Sequence, residues 1–168
     1  MADKIHLHRA PQLGSGYDGI TFAMSIEAVA KRLDIWPFAR VPAAKPRALG
    51  ECTYRQYHLG KDGIFEDLAW RGEAVVMTFK NGGLRRILLG AGWQGEIFGR
   101  RIGGWIREQW GGMKICFDEA EDVLYLQDCN GEDIFGLEIW ASGLPFTEDA
   151  VQQIRNLCLY GRERYFCQ

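Results

Sequence analysis

The chain has 168 residues, enough for one ordinary domain or for two small units sharing a core. Apolar residues make up 47% and charged residues 25%, the balance of a soluble globular protein and not of a disordered one. The net charge of −2 and the pI near 5.9 exclude a generally basic nucleic-acid binder, since phosphate binding needs concentrated Lys and Arg.

The N-terminus "MADKIHLHRAP" has no apolar stretch of the secretory kind, and no run of the chain reaches the length of a membrane span. A cytoplasmic location is therefore expected. The five cysteines are scattered without a CxxC pair, which predicts free thiols. "KIHLH" alternates apolar and polar residues and predicts a short strand. Ser25 is placed to cap a helix whose apolar stripe is Ile26, Val29, Ala30 and Leu33, ending before Trp36-Pro37. Residues 51 to 90 read as a four-stranded antiparallel meander. Its last hairpin, "MTFKNGGLRRILL", turns at Asn81-Gly82.

Beyond Gly90 the pattern changes. Ile102, Trp105, Ile106 and Trp110 recur at helical spacing, although Gly103-Gly104 weakens that helix by roughly 2 kcal/mol relative to alanine. "MKICFD", "DVLYLQD" and "DIFGLEIWA" then predict three strands, with Asn130-Gly131 turning between the last two. A C-terminal helix is expected over 147 to 159, with Thr147 as cap and Val151, Ile154, Leu157 and Cys158 on one stripe. Segments starting at Gly19 and Gly95 align as two helices, each before a run of strands. The expected fold is thus α+β. Two helix-plus-antiparallel-meander units, a pseudo-repeat of 19–90 and 95–140, form one twisted sheet with helices packed on one face.

Chemistry-bearing motifs are few. His6, His8 and His58 are the only histidines, and a closed metal site needs about four ligands. Cys52 and His58 fall on one face of a predicted strand, but some 20 Å apart, too far for a nucleophile and its base. No GxxxxGK[ST] loop occurs, and "GAGWQG" fails the dinucleotide pattern at its last position. No cofactor, no metal, no nucleic acid and no membrane partner are expected.

Charge is the concentrated feature. Residues 114 to 133 hold Asp118, Glu119, Glu121, Asp122, Asp128, Glu132 and Asp133 against Lys114 alone, a net charge of −6. The rest of the chain carries 19 bases and 15 acids, a net charge of +4. "DEAED" and "DCNGED" are adjacent turns and should lie at opposite ends of their strands. Three readings stand: solvated turns, a docking surface for a basic partner, or a carboxylate or metal site of a hydrolase. The ligand spacing of an EF-hand is absent. Trp105 and Trp110 are expected to plug the core, while Trp93, in a glycine-rich loop, is expected to be exposed and to anchor an interface. The basic residues Arg85, Arg86, Arg100 and Arg101 form the second candidate surface.

"GITFAMSIEAVAKRL" followed by the hairpin "EAVVMTFKNGGLRRILL" resembles the tandem helix-and-meander units of the beta-lactamase-inhibitor-protein and BamE-like group. The resemblance covers 19 to 90, and 95 to 140 more weakly. The exported proteins of that group carry a leader that is not seen here. Size, acidity and the lack of catalytic motifs are similar to bacterial immunity proteins. That likeness implies a non-enzymatic cytosolic protein occluding the basic cleft of a cognate toxin. The docking residues would be the seven acids of 118 to 133 and Trp93. The competing expectations are the hydrolase and a structural subunit of a homo-oligomer.

Overall fold

A computed structural model of the protein describes residues 5–40, 45–106, 110–142 and 152–161. The fold is mainly β, which corrects the α+β expectation. A small sheet pairs β1 (Gly16–Tyr17) with β2 (Ile20–Thr21), and one helix follows, α1 (Ile26–Arg32). The other strands are β3 (Arg47–Leu49), β4 (Cys52–His58), β5 (Ile64–Trp70), β6 (Val75–Lys80), β7 (Gly83–Leu89), β8 (Lys114–Asp118), β9 (Val123–Gln127), β10 (Leu137–Ala141) and β11 (Ile154–Tyr160). They form a single nine-stranded antiparallel sheet in the order β3-β4-β5-β6-β7-β11-β10-β9-β8.

The 51–90 meander, the three strands after 113 and the Ser25-capped helix all lie where the sequence places them. The two meanders are joined by β11, which pairs with β7 on one side and β10 on the other. This strand occupies the second half of the helix expected over 147–159. Residues 147–151 lie outside the described residues. The helix expected around 102–110 is also absent over 102–106, and 107–109 lie outside the described residues. Gly99 and Gly103 take φ of +75° and +84°, and Ile106 and Gly103 donate backbone hydrogen bonds to Gln152 and Ile154. A left-handed residue every four positions ends any helical turn and turns the chain against β11 instead. "KIHLH" forms no strand in the described part.

One face of the sheet carries the core. Strand alternation and register put Cys52, Tyr54, Leu68, Trp70, Val75, Met77, Phe79, Ile87, Leu89, Leu157, Ile139 and Leu124 on it. A bulge at Thr78/Phe79 leaves Arg85 as an extra residue, so that Leu84 and Ile87 both face inward. α1 belongs to the same core through Ile26, Val29 and Ala30, together with Tyr17, Ile20, Trp93, Ile97, Ile106 and Trp110. Trp110 is buried as expected, whereas Trp105 is 44% exposed.

The N-terminal segment is fastened by Asp18, whose carboxylate accepts from the His6 amide at 2.7 Å and Arg9 Nη1 at 2.7 Å. Burial alone would push this carboxyl up; the amide and ring of His6 and the charge of Arg9 outweigh it and hold the group below the ordinary carboxylate range. A lowered carboxyl contributes stability in full above its unfolded value, and loses it as pH falls through the folded one. Asp18→Asn is therefore expected to cost about 2 kcal/mol at neutral pH, the size of charged hydrogen bonds. The gap from the parent should close on acidification below about pH 4, the unfolded carboxyl value. Urea midpoints measured from pH 7 to pH 2 check this; a gap independent of pH would contradict it.

Candidate functional site

The acidic segment forms the β8–β9 hairpin and the loop to β10, at one edge of the sheet. All five β8 residues pair with β9, from Lys114↔Gln127 to Asp118↔Val123. Asp118, Glu119, Glu121 and Asp122 sit at the hairpin turn. Asp128, Glu132 and Asp133 sit at the other end, roughly 16 Å away at the rise of an extended strand. The two groups therefore cannot share one metal ion or one substrate atom, and no group of three metal-binding side chains occurs among the described residues.

Some of these acids build the turns that carry the rest. Asp118 Oδ1 accepts from the amides of Ala120 and Glu121 at 3.0 and 3.3 Å. Asp128 Oδ1 accepts from Asn130 and Glu132 at 2.8 and 2.9 Å. The Glu132 and Asn130 amides hold the Asp128 carboxyl below the ordinary carboxylate range, so it stays charged. Asp133 accepts from Gln127 Nε2. Glu119, Glu121, Asp122 and Glu132 are exposed.

Six acids elsewhere behave differently. Glu66 is held by Arg40 and Tyr54, Asp67 by Arg55, Asp18 by Arg9, Glu51 by Arg71, Glu27 by Arg40, and Glu96 by Arg101. None of the seven acids of the edge is ion-paired with a cation among the described residues. The charge segregation seen along the chain is thus a segregation in space.

Trp93 is not part of this surface. It is 3% exposed, and its indole Nε1 donates to Tyr17 Oη at 3.1 Å. The expectation of an exposed anchor is corrected: the loop folds inward, and an added Cβ on Gly95 would lie 2.4 Å from the Trp93 ring. Arg85 and Arg86 belong to β7 in mid-sheet, and Arg100 and Arg101 to the segment that crosses the core face.

The sheet face opposite the core carries a polar row that the sequence reading missed. Asp67, nearly buried, accepts from Arg55 Nη2 at 2.6 Å and Thr78 Oγ1 at 2.8 Å. Arg86 Nε donates to Thr78 Oγ1 at 3.2 Å, and the Arg86 guanidinium lies 5.8 Å from the centre of the Trp140 ring. On the core face, Arg40 donates to both oxygens of Glu66, at 2.8 and 2.5 Å. The signal was present: Glu66-Asp67 inside the apolar strand "IFEDLAW" must bury one carboxylate on each face, and each needs cationic or hydroxyl partners. Every carboxylate oxygen of this pair has a donor, so both act as structural links across strands.

Beside the acidic turn, the same open face holds a cavity of about 530 Å³ lined by Glu73, Asp122, Trp140, Arg155 and Asn156 among others. The thiols of Cys52 and Cys158 are buried, and desolvation pushes each up to about 12, so neither is a ready nucleophile. The four described cysteines are free. No described helix is long and apolar enough to cross a membrane. No family model matches the chain, and no match is found among curated proteins or solved structures.

Proposed function

We propose that the protein is a binding protein whose acidic sheet edge docks a basic partner. In its sharpest form the partner is a toxin enzyme whose basic cleft the edge occludes, making the protein an immunity protein. The observation that carries the reading is the contrast between two sets of acids. Glu66 and Asp67, in the body of the sheet, are paired with Arg and supplied with hydroxyl donors. The seven at the β8–β9 edge lie at their own turns and form no ion pair among the described residues. Unpaired like charges repel one another, and a partner of opposite charge relieves that repulsion, accelerating encounter and selecting partners by sign. Arg and Lys around a substrate-binding cleft supply that opposite charge. The occluding element would be the edge hairpin with its two acidic ends.

The test separates the turn-building acids from the displayed ones. Glu119→Gln, Glu121→Gln, Asp122→Asn and Glu132→Gln combined leave Asp118 and Asp128 in place, and Asn tolerates the left-handed φ of Asp122. Folding stability should change by no more than about 0.5 kcal/mol, as exposed charges contribute little. A basic protein recovered at one-to-one stoichiometry, toxic when expressed alone, should be neutralised by the parent and not by the variant. The association rate should fall about tenfold at low salt, and its salt dependence should flatten. Association indifferent to both the substitutions and salt would sink the reading.

A further inference from the structure

We propose that the cavity on the open face of the sheet binds a small zwitterion of the amino-acid type, with an apolar side chain. The inference goes beyond the docking reading and shares only Asp122 with it. The cavity, about 530 Å³, falls in the size range of small-molecule sites. It lies where five neighbouring strands begin or end. Glu73 precedes β6, Ala91 follows β7, Arg155 is at the start of β11, Ala141 ends β10, and Asp122 precedes β9. Its floor is shallow because Gly90, Ala91 and Ala141 are small. A Cβ on Gly90 would lie 2.6 Å from the Glu73 carbonyl oxygen and 3.2 Å from Asn156 Nδ2, so bare backbone is required there. Trp140, alternating with the inward Ile139, lines the same cavity from the open face.

The charges decide the ligand. Glu73, Asp122 and Arg155 all line the cavity and all are exposed. None of the three forms an ion pair among the described residues, although acids and base share one cavity. Arg155 stands two strand spacings from Glu73 and two from Asp122, roughly 10 Å each way across the sheet. That separation keeps the charges from meeting and leaves room for a molecule that carries both signs. Arg155 is also the extra residue where the register shifts between Trp140 and Ala141, the kind of bulge that re-aims a side chain beside a site. The indole Nε1 of Trp140 is shielded from water and has no acceptor among the described residues, whereas buried indole N–H groups usually find one. A ligand carboxylate supplies an acceptor and a counter-ion for Arg155. A ligand ammonium supplies a counter-ion for Asp122 or Glu73, and an apolar side chain covers the small-residue floor. An inorganic anion fits worse, meeting one cation against two acids. A metal ion fits worse too: it would meet Arg155, and no group of three metal-binding side chains occurs among the described residues.

The probes are leucine and phenylalanine, each also as its methyl ester, which keeps only the cation, and as its N-acetyl form, which keeps only the anion. At least one of the two amino acids should bind with a dissociation constant of about 1 mM or below by calorimetry, and should shift the Trp140 indole N–H resonance. Its two blocked forms should bind at least about tenfold more weakly, each having lost one charge-assisted contact. Arg155→Gln should weaken the amino acid about tenfold and leave the methyl ester within about twofold. Glu73→Gln with Asp122→Asn should weaken it similarly and leave the N-acetyl form within about twofold. Lost structure would weaken every ligand alike, so this crossed pattern separates recognition from folding. Failure of both amino acids to bind at about 10 mM overturns the proposal. So do blocked forms that bind as well as the amino acid, and binding that neither set of substitutions alters. No protein partner enters these measurements, so each of those results leaves the acidic docking surface standing.

Discussion

Trp93→Ala should destabilise the protein by about 3–5 kcal/mol, the range for removing a large aromatic side chain from a packed core. The indole is buried between the glycine at 95 and the N-terminal segment, and donates to the Tyr17 hydroxyl. That hydroxyl in turn donates to the His6 carbonyl at 2.6 Å. Burial pushes the Tyr17 phenol up to about 12, so it remains a donor throughout the neutral range. Alanine would leave a cavity and strip Tyr17 of one partner. Trp93→Phe keeps most of the ring and should cost about 1–2 kcal/mol more than its volume change alone, through the lost hydrogen bond. Chemical denaturation of the three proteins measures both. An alanine variant as stable as the parent but defective in partner binding would instead restore Trp93 as an exposed anchor.

Arg40→Met should cost about 3 kcal/mol, because it leaves the Glu66 carboxylate buried with only the Tyr54 hydroxyl to hold it. Glu66 is 2% exposed, whereas the Arg40 side chain is 34% exposed and also reaches Glu27, so the loss falls on the acid and not on the base. Replacing both, Arg40→Met with Glu66→Met, should recover all but about 1 kcal/mol, the remainder being the stranded Tyr54 hydroxyl. Thermal denaturation of the single and double variants distinguishes the cases. A double variant as unstable as the single one would show that the pair itself, and not the uncompensated charge, supports the fold.

The local elements that needed no distant partner were legible in the sequence. The α1 helix follows from Ser25 and the Ile26, Val29, Ala30 stripe. The β4–β7 meander follows from short apolar, β-prone runs separated by the turns at Arg71-Gly72 and Asn81-Gly82, and the acidic hairpin from its turns and the composition of 114–133. The charge imbalance was also readable, because acids in turns stay at the surface wherever the turns are carried.

The segment that forms β11 was misread because a spacing of three is shared by helices and bulged strands. Ile154 and Leu157 would lie on one stripe of a helix. In β11 they also share a face, because a bulge at Trp140/Ala141 sets Arg155 out of register. Leu157 and Cys158 are both buried because β11 lies between β7 and β10, with the core on one side and a shielded face on the other. Nothing local distinguishes such a strand from a helix; the deciding contacts are with Leu89 and Ile139, far away in the chain. Trp93 was misplaced for a related reason. A tryptophan between glycines has no periodicity to report its direction, and only the Tyr17 hydroxyl and the approach of Gly95 turn it inward. Composition and turn chemistry are carried by the residues themselves and determined where the charge would be. The partners of an isolated apolar run are chosen by burial against distant strands, so the tertiary structure alone decided that one sheet, and not two helix-backed units, presents the acidic edge.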